Sequence, residues 1–253
     1  MFTKLKVLAL GIFLFSSVCE ASRIKPPGAD TAVRCNEKGI SQEICKEDRD
    51  HAIDSGCINQ QELRELINYN GCPICDRRNN YLAWCPQGCF IRGTKLLVWD
   101  TVQEKQDWVA IEEIIDQSKR FKVASIRKDA NLKDLKYEFL PIQLTTEGPE
   151  LEPLVILTTN KRTLGITSAH GVVLANGQLI AAEDLRVGDH LLSTDSLVEH
   201  ILSIERPLAD DLVFNLSVES EDAKSHLIFA EGGLVVGDQF LQSSHYLNST
   251  LLN

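Results

Sequence analysis

Gly88-Cys89-Phe90-Ile91-Arg92-Gly93-Thr94 is the stretch on which the reading of this 253-residue chain turns. Seven of the eight cysteines (Cys35, Cys45, Cys57, Cys72, Cys75, Cys85 and Cys89) lie between residues 35 and 89, and none follows. The texture of the chain changes at the same point. Upstream, Ser41 to Asp54 predicts a short helix, with Ser41 as N-cap and Glu43 in its first turn. Asn59 to Tyr69 predicts a second helix, capped by Asn59, with Leu63, Leu66 and Ile67 as one apolar stripe and Gly71 ending it. Downstream, short apolar runs alternate with turn signals: Leu96–Trp99, Lys122–Ile126, Leu154–Thr159, Gly171–Leu174, His190–Ser193, Leu212–Val218, His226–Ala230 and Gly233–Val236. Their period and β-branched content predict strands, and Asn176-Gly177 predicts a two-residue hairpin turn.

Composition bounds the function. With 43% hydrophobic and 25% charged residues the chain is ordinary globular protein, long enough for one large or two small domains. The net charge of −10 and an aromatic content of 6% argue against nucleic-acid binding, which needs excess Lys and Arg or a stacking platform. Residues 22–88 carry nine basic against ten acidic side chains, and residues 89–253 carry fifteen against twenty-five, so the acidity belongs to the β part.

The first 21 residues set the compartment. Lys4 and Lys6 precede the apolar run Val7–Val18, and Cys19-Glu20-Ala21 follows. This is the pattern of a secretory signal peptide cut after Ala21 or Ser22, with an apolar run too short to span a bilayer comfortably. The expected product is secreted, extracellular or periplasmic, with no stable membrane span. In an oxidising compartment Cys35, Cys45, Cys57, Cys72, Cys75 and Cys85 read as three disulfides of a small helical domain, residues 22–88, with a flexible lead-in over residues 22–34. Fifteen pairings are possible and the sequence does not choose among them. Cys72-Pro73-Ile74-Cys75 reads as a structural staple, since no βαβ pattern of a redox protein surrounds it, and export favours disulfides over zinc at Cys57, Cys72, Cys75 and Cys85. No metal and no cofactor are expected. Cys89 is the cysteine left over, and an odd cysteine in an exported protein is either intermolecular or chemically used.

The β part repeats itself. Val109-Ala110-Ile111-Glu112-Glu113-Ile114 matches Ile180-Ala181-Ala182-Glu183-Asp184-Leu185, each followed by a strand ending in Ser125 or Ser193, and Leu154–Thr159 matches Leu212–Ser217. Two diverged copies predict a pseudo-two-fold β structure.

Taken in order, Cys89-Phe90-Ile91-Arg92-Gly93-Thr94, Thr167-x-x-His170, Ala182-Glu183-Asp184-Leu185-Arg186-Val187-Gly188-Asp189, and Val213–Val218 with Gly233–Val236 resemble a Hint domain. That module is shared by inteins and by the autoprocessing half of hedgehog proteins, and the resemblance covers Cys89 to Asp238. It implies a mostly β fold, a horseshoe or disc with pseudo-two-fold symmetry, preceded here by the small disulfide-rich domain. It implies a reaction as well. The Cys89 thiol attacks the Gly88 carbonyl, His170 protonates the departing Cys89 nitrogen, and Thr167 positions the same junction. The thioester is then opened by water or a small nucleophile. The attacking group is already beside its target, so its effective concentration is very high. The substrate is the chain's own N-terminal domain.

The departures narrow that expectation. An intein ends in Asn, usually after His, before a Cys, Ser or Thr acceptor. Here the stretch reads Val236-Gly237-Asp238-Gln239, so splicing is not expected; His226, which matches a histidine assisting that step, and Asp238 are secondary site candidates, with a purely structural His226 as the alternative. Asn215 stands where many inteins carry Asp. The Asp that hedgehog sterol transfer uses falls near Thr145, with Glu147 close by, and only residues 239–253 follow the Hint region. A sterol adduct is not supported. The tail, with Phe240, Leu241, Tyr246, Leu247, Leu251 and Leu252, is expected to cap the β disc, the alternative being contact with a hydrophobic adduct. Two rival readings are an inactive Hint-like scaffold and a thiol acyl-transferase acting in trans through Cys89 and His170. Asn215-Leu216-Ser217 and Asn248-Ser249-Thr250 are glycosylation sequons.

Overall fold

A computed structural model describes residues 22–24, 42–68, 71–86, 89–150, 153–194, 199–242 and 246–253. The signal-peptide reading of residues 1–21, Cys35 and Gly88 lie outside the described residues, as does the side chain of Cys85.

In the cysteine-rich part, α1 (Gln42–Asp54) and α2 (Gln60–Asn68) pack against a hairpin of β1 (Gly71–Cys75) and β2 (Tyr81–Pro86). The start of α2 is a capping box. Asn59 Oδ1 accepts from the N–H groups of Gln61 and Glu62 at 2.9 Å, and Glu62 accepts in return from the Asn59 N–H at 2.9 Å. The Cys72-x-x-Cys75 spacing sits on a strand, where residues three apart face opposite sides. The two sulfurs therefore cannot meet. Cys72 joins Cys45 of α1, and Cys75 joins Cys57 between the helices. The lead-in is docked at its start: Ile24 is buried with Ala52, Ile58, Leu66 and Trp84. Arg23 meets the buried Glu62 through Nε and a terminal nitrogen, both at 2.7 Å. That bidentate pair holds the Glu62 carboxyl at about 2.

From Phe90 onward the chain is a curled antiparallel sheet, mostly β as the composition of runs predicts. Its strands are β3 (Phe90–Ile91), β4 (Lys95–Asp100), β5 (Lys105–Ala110), β6 (Phe121–Ile126), β7 (Tyr137–Pro149), β8 (Leu154–Thr159), β9 (Thr163–Thr167), β10 (Gly171–Val173), β11 (Leu179–Ala181), β12 (His190–Leu191), β13 (Glu199–Glu205), β14 (Leu212–Val218), β15 (Leu227–Ala230) and β16 (Leu234–Gly237). One short helix, α3 (Ile111–Asp116), follows β5. The path across the sheet runs β11-β10-β16-β15-β4-β6-β7-β14-β3-β9-β8-β13-β12, with β5 on β4. One large apolar cluster, with Phe90, Leu96, Ile111, Ile166, Phe214 and Ile228 among its members, fills the curl.

The internal repeat is visible in the backbone. Ala110 before α3 and Ala181 before the 3-10 turn Ala182–Asp184 share one extended conformation, with φ and ψ of −63° and 140° against −68° and 146°. Ser125 and Ser193 both pair with the β15–β16 hairpin, through Ile228 and Leu234. β7 joins the two halves. Its first part pairs with β6 up to Pro141, and from Ile142 onward it pairs with β14. The proline stands at the handover, where the ladder changes sides and a missing N–H costs least.

The turn at Asn176-Gly177 differs from the two-residue reading. Gly177 N–H bonds the Leu174 carbonyl and Leu174 N–H bonds the Gln178 carbonyl, closing a three-residue loop with Gly177 at φ +84°. The C-terminal tail lies against this loop: a Cβ on Gly177 would stand 2.0 Å from the Leu252 carbonyl oxygen. Leu179 donates to Ser249 and accepts from Asn248, Leu251 donates to Gly177, and Leu241 and Leu252 are buried. The tail thus caps the second apolar cluster, which holds Leu179, Phe229 and Val235.

Candidate active site

Cys89 enters the sheet one residue before β3. Phe90 pairs with Ile166 of β9 on one side and with Phe214 of β14 on the other. Extending that register by one residue sets Cys89 between Thr167 and Asn215. Cys89 is 1% exposed and carries a thiol, in contrast to the bridged Cys45, Cys57, Cys72 and Cys75. Its backbone is clamped on both sides by one residue. The Cys89 N–H donates to Thr167 Oγ1 at 2.7 Å, and the Thr167 N–H donates to the Cys89 carbonyl at 2.9 Å. The bond that joins Cys89 to residue 88 is therefore held through its own nitrogen.

The Thr167-x-x-His170 spacing is a β-turn. Thr167 is the last residue of β9, and the His170 N–H returns to the Thr167 carbonyl at 3.1 Å before β10 begins. The turn packs the imidazole against Phe90, with the two ring centroids 4.2 Å apart. His170 is fully buried, and burial pushes its pKa down to about 3, against a smaller opposing pull from the Gly237 carbonyl. At neutral pH the ring is uncharged. Its Nδ1 lies 3.0 Å from Nε2 of Gln242, in the C-terminal tail.

His226 and Asp238 meet a short distance away along the β15–β16 hairpin. His226 Nδ1 lies 2.8 Å from Asp238 Oδ2, His226 Nε2 lies 3.1 Å from the Ser220 carbonyl, and Phe240 stacks on the ring at 4.0 Å. Burial by itself would lower the His226 pKa; the Asp238 carboxylate and the Ser220 carbonyl outweigh it and hold the value above its ordinary range. Both Asp238 oxygens are engaged, since Oδ2 also accepts from the Val218 N–H and Oδ1 accepts from the Phe240 N–H, each at 2.9 Å. A carboxylate held in this way is an anchor and not a nucleophile.

Three more polar groups complete the surroundings. Thr146 of β7 stands opposite Asn215, both buried, and its hydroxyl donates to Gln239 Oε1 at 3.3 Å. Gln239 Nε2 has no partner among the described residues. Glu147 is exposed, so the acidic residue nearest the hedgehog Asp position does not enter the site. Asn215 is sealed inside β14, which closes the first sequon to glycosylation, while Asn248 is exposed. Sequence reasoning passes over Thr146 and Gln242, and reads Gln239 only as a residue that cannot serve as a splicing acceptor. The one available signal is a pair of glutamines flanking the apolar pair Phe240-Leu241. Among the described residues no group of His, Cys, Asp and Glu could hold a metal, and no helix is long and apolar enough to cross a membrane.

The curled, internally repeated sheet with a buried cysteine at its entrance is a Hint-like fold. Solved structures agree. An intein from a hyperthermophile is 17% identical, with 60% of this chain matching 100% of that one at a TM-score of 0.51. The Pab PolII intein, solved by NMR, is 20% identical, with 59% of this chain matching 100% of that one at a TM-score of 0.50. At such identities the likeness is one of fold. No protein-family model and no curated protein matches the sequence.

Proposed function

We propose that this chain is an exported, self-cleaving protein in which Cys89 severs its own bond to Gly88 and releases residues 22–88. Cys89 Sγ attacks the Gly88 carbonyl carbon, the C–S bond forms as the C–N bond breaks, and the thiol proton ends on the departing Cys89 nitrogen beside His170. The acyl chain is then a thioester on Cys89. Water opens it, leaving a carboxylate at Gly88 and restoring the thiol; another small nucleophile gives the corresponding adduct. The observation that carries this reading is the clamp on the junction, a 2.7 Å bond from the Cys89 amide to the buried Thr167 hydroxyl. A hydroxyl both accepts and donates, so it can stay bonded to that nitrogen as it changes from amide to amine.

The reading includes the division into signal peptide 1–21, cysteine-rich domain 22–88, Hint domain 89–238 and tail 239–253. The released domain is stabilised by disulfides in place of a large core, which suits life outside the cell. Splicing is excluded from the proposal because the terminal nucleophile is replaced by Asp238, which is held by His226. Intact mass spectrometry of residues 22–253, made in an oxidising compartment beside Cys89→Ala and with or without hydroxylamine, tests it. Scission between Gly88 and Cys89 that vanishes in the variant supports the proposal, and the mass on the Gly88 fragment names the nucleophile. A chain that stays whole under every condition overturns it in favour of the inert scaffold.

A further inference from the structure

The C-terminal tail does more than cover apolar surface, because it delivers a polar side chain to His170, whose ring packs on Phe90, the residue after Cys89. Gln242 is 1% exposed, and its Nε2 lies 3.0 Å from His170 Nδ1. The amide nitrogen of Gln242 faces the ring, and with that nitrogen as donor Nδ1 is the acceptor and the ring proton belongs on Nε2. The placement of Gln242 is secured from both ends. Asp238 is tied to His226 and accepts from Phe240, so the 3-10 turn Gln239–Gln242 starts from a fixed point. Beyond it, Asn248, Ser249 and Leu251 bond to the β10–β11 hairpin and Leu252 is buried. Residues 239–253 lie past the Hint resemblance, and nothing in that resemblance requires a residue in this role.

We infer that Gln242 is a positioning residue that fixes His170 in the Nε2–H tautomer, so that the tail is a working part of the junction chemistry. The ring then offers an N–H, and not a lone pair, to whatever faces Nε2. The inference rests on the self-cleavage reading for its rate, while the tautomer itself can be read without any cleavage.

Two measurements on the full chain, residues 22–253, decide it. The first is ¹⁵N NMR of the histidine rings in Cys89→Ala, alone and combined with Gln242→Leu or Gln242→Glu. The expected result is Nε2–H with an accepting Nδ1 in Cys89→Ala, loss of that signature with Leu, and a proton moved to Nδ1 with Glu. The second is the rate of hydroxylamine-driven cleavage between pH 5 and 9. Gln242→Leu is expected to slow it about 10- to 100-fold, the weight that outer partners of functional histidines commonly carry. Gln242→Glu is expected to move the pH profile upward by about one to three units, as a facing carboxylate does. Thermal unfolding of each variant separates these effects from loss of fold. An Nδ1–H tautomer in Cys89→Ala overturns the inference, as does cleavage by both variants with the parent rate and pH profile. If the parent chain does not cleave, the self-cleavage reading falls, and the NMR result alone judges the clamp.

Discussion

Replacing Thr167 by Val removes one hydroxyl and leaves the shape of the side chain almost intact. The backbone half of the clamp survives, because the Thr167 N–H still reaches the Cys89 carbonyl at 2.9 Å. What is lost is the 2.7 Å acceptor for the Cys89 N–H, in a place where Cys89 is 1% and Thr167 2% exposed, so no water replaces it. A buried donor left without a partner costs about 1–3 kcal/mol. If that loss falls on the transition state, cleavage slows about 5- to 150-fold. If it falls equally on the precursor and the transition state, the rate is unchanged and only stability drops. The two cases are told apart by following the loss of full-length chain after a jump into hydroxylamine, with Tm measured in parallel on Cys89→Ala/Thr167→Val. Thr167→Ser keeps the hydroxyl and should restore most of the rate. A Thr167→Val chain that cleaves at the parent rate while its Tm falls would refute a catalytic part for this hydroxyl and leave Thr167 as an anchor alone.

Removing Asp238 tests the buried pair. Asp238→Ala strips a His226 that is 1% exposed of its counter-charge, which costs about 3–5 kcal/mol and should lower Tm by about 6–20 °C in differential scanning calorimetry. The sign of the pH dependence follows from the raised His226 pKa: the pair's contribution is complete below the unfolded value of about 6.5 and fades as pH rises through the higher folded value. Asp238→Ala should flatten that decline, and an equal decline in both chains would show that another group causes it. Reduction tests the first part of the chain. The bridges Cys45–Cys72 and Cys57–Cys75 close loops of 27 and 18 residues, worth about 3 kcal/mol each by loop entropy. Mild reduction should expose residues 42–86 to protease while amide exchange in β6, β14 and β15 stays slow; loss of protection in those strands would show that the sheet depends on the bridges.

The strands that the sequence declares are those whose burial is decided by their own residues. Leu154–Thr159 and Leu212–Val218 are read with their observed limits, since alternating or continuous β-branched runs need no partner to be recognised. β7 is not legible in this way. Pro141, Thr145-Thr146 and Gly148 are poor strand residues, and they form one because β6 and then β14 pair with them, a long-range fact that no window of sequence contains. β5, with Lys105-Gln106-Asp107 exposed, is likewise made by pairing with β4. The hairpin of β1 and β2 is hidden by its own cysteines, which read as disulfide staples of a small helical domain. The candidate site divides along the same line. Cys89, Thr167 and His170 stand in recognisable local patterns, whereas Gln242 reaches His170 across a separation of 72 residues and Gln239 meets Thr146 across 93. Side chains brought together over such distances are chosen by the fold.

The end of the sheet holds Asp238 tightly. In an Asn-terminated Hint domain the last side chain must be mobile enough to attack its own carbonyl. Here the residue is Asp238, and four groups hold it: His226, Val218 and Phe240 bond its carboxylate, and its own N–H bonds the His226 carbonyl at 2.9 Å. Each bond lowers the freedom that cyclisation would require, and the buried charge pair makes withdrawal of the carboxylate costly. The same arrangement fixes the direction of the chain as it leaves β16, so Gln239 and Gln242 arrive beside Thr146 and His170. On the two proposals made above, the absence of a terminal cyclisation at Asp238 and the delivery of the Gln242 amide to His170 are two consequences of a single anchor. A variant that loosens Asp238 should disturb His170 as well as His226.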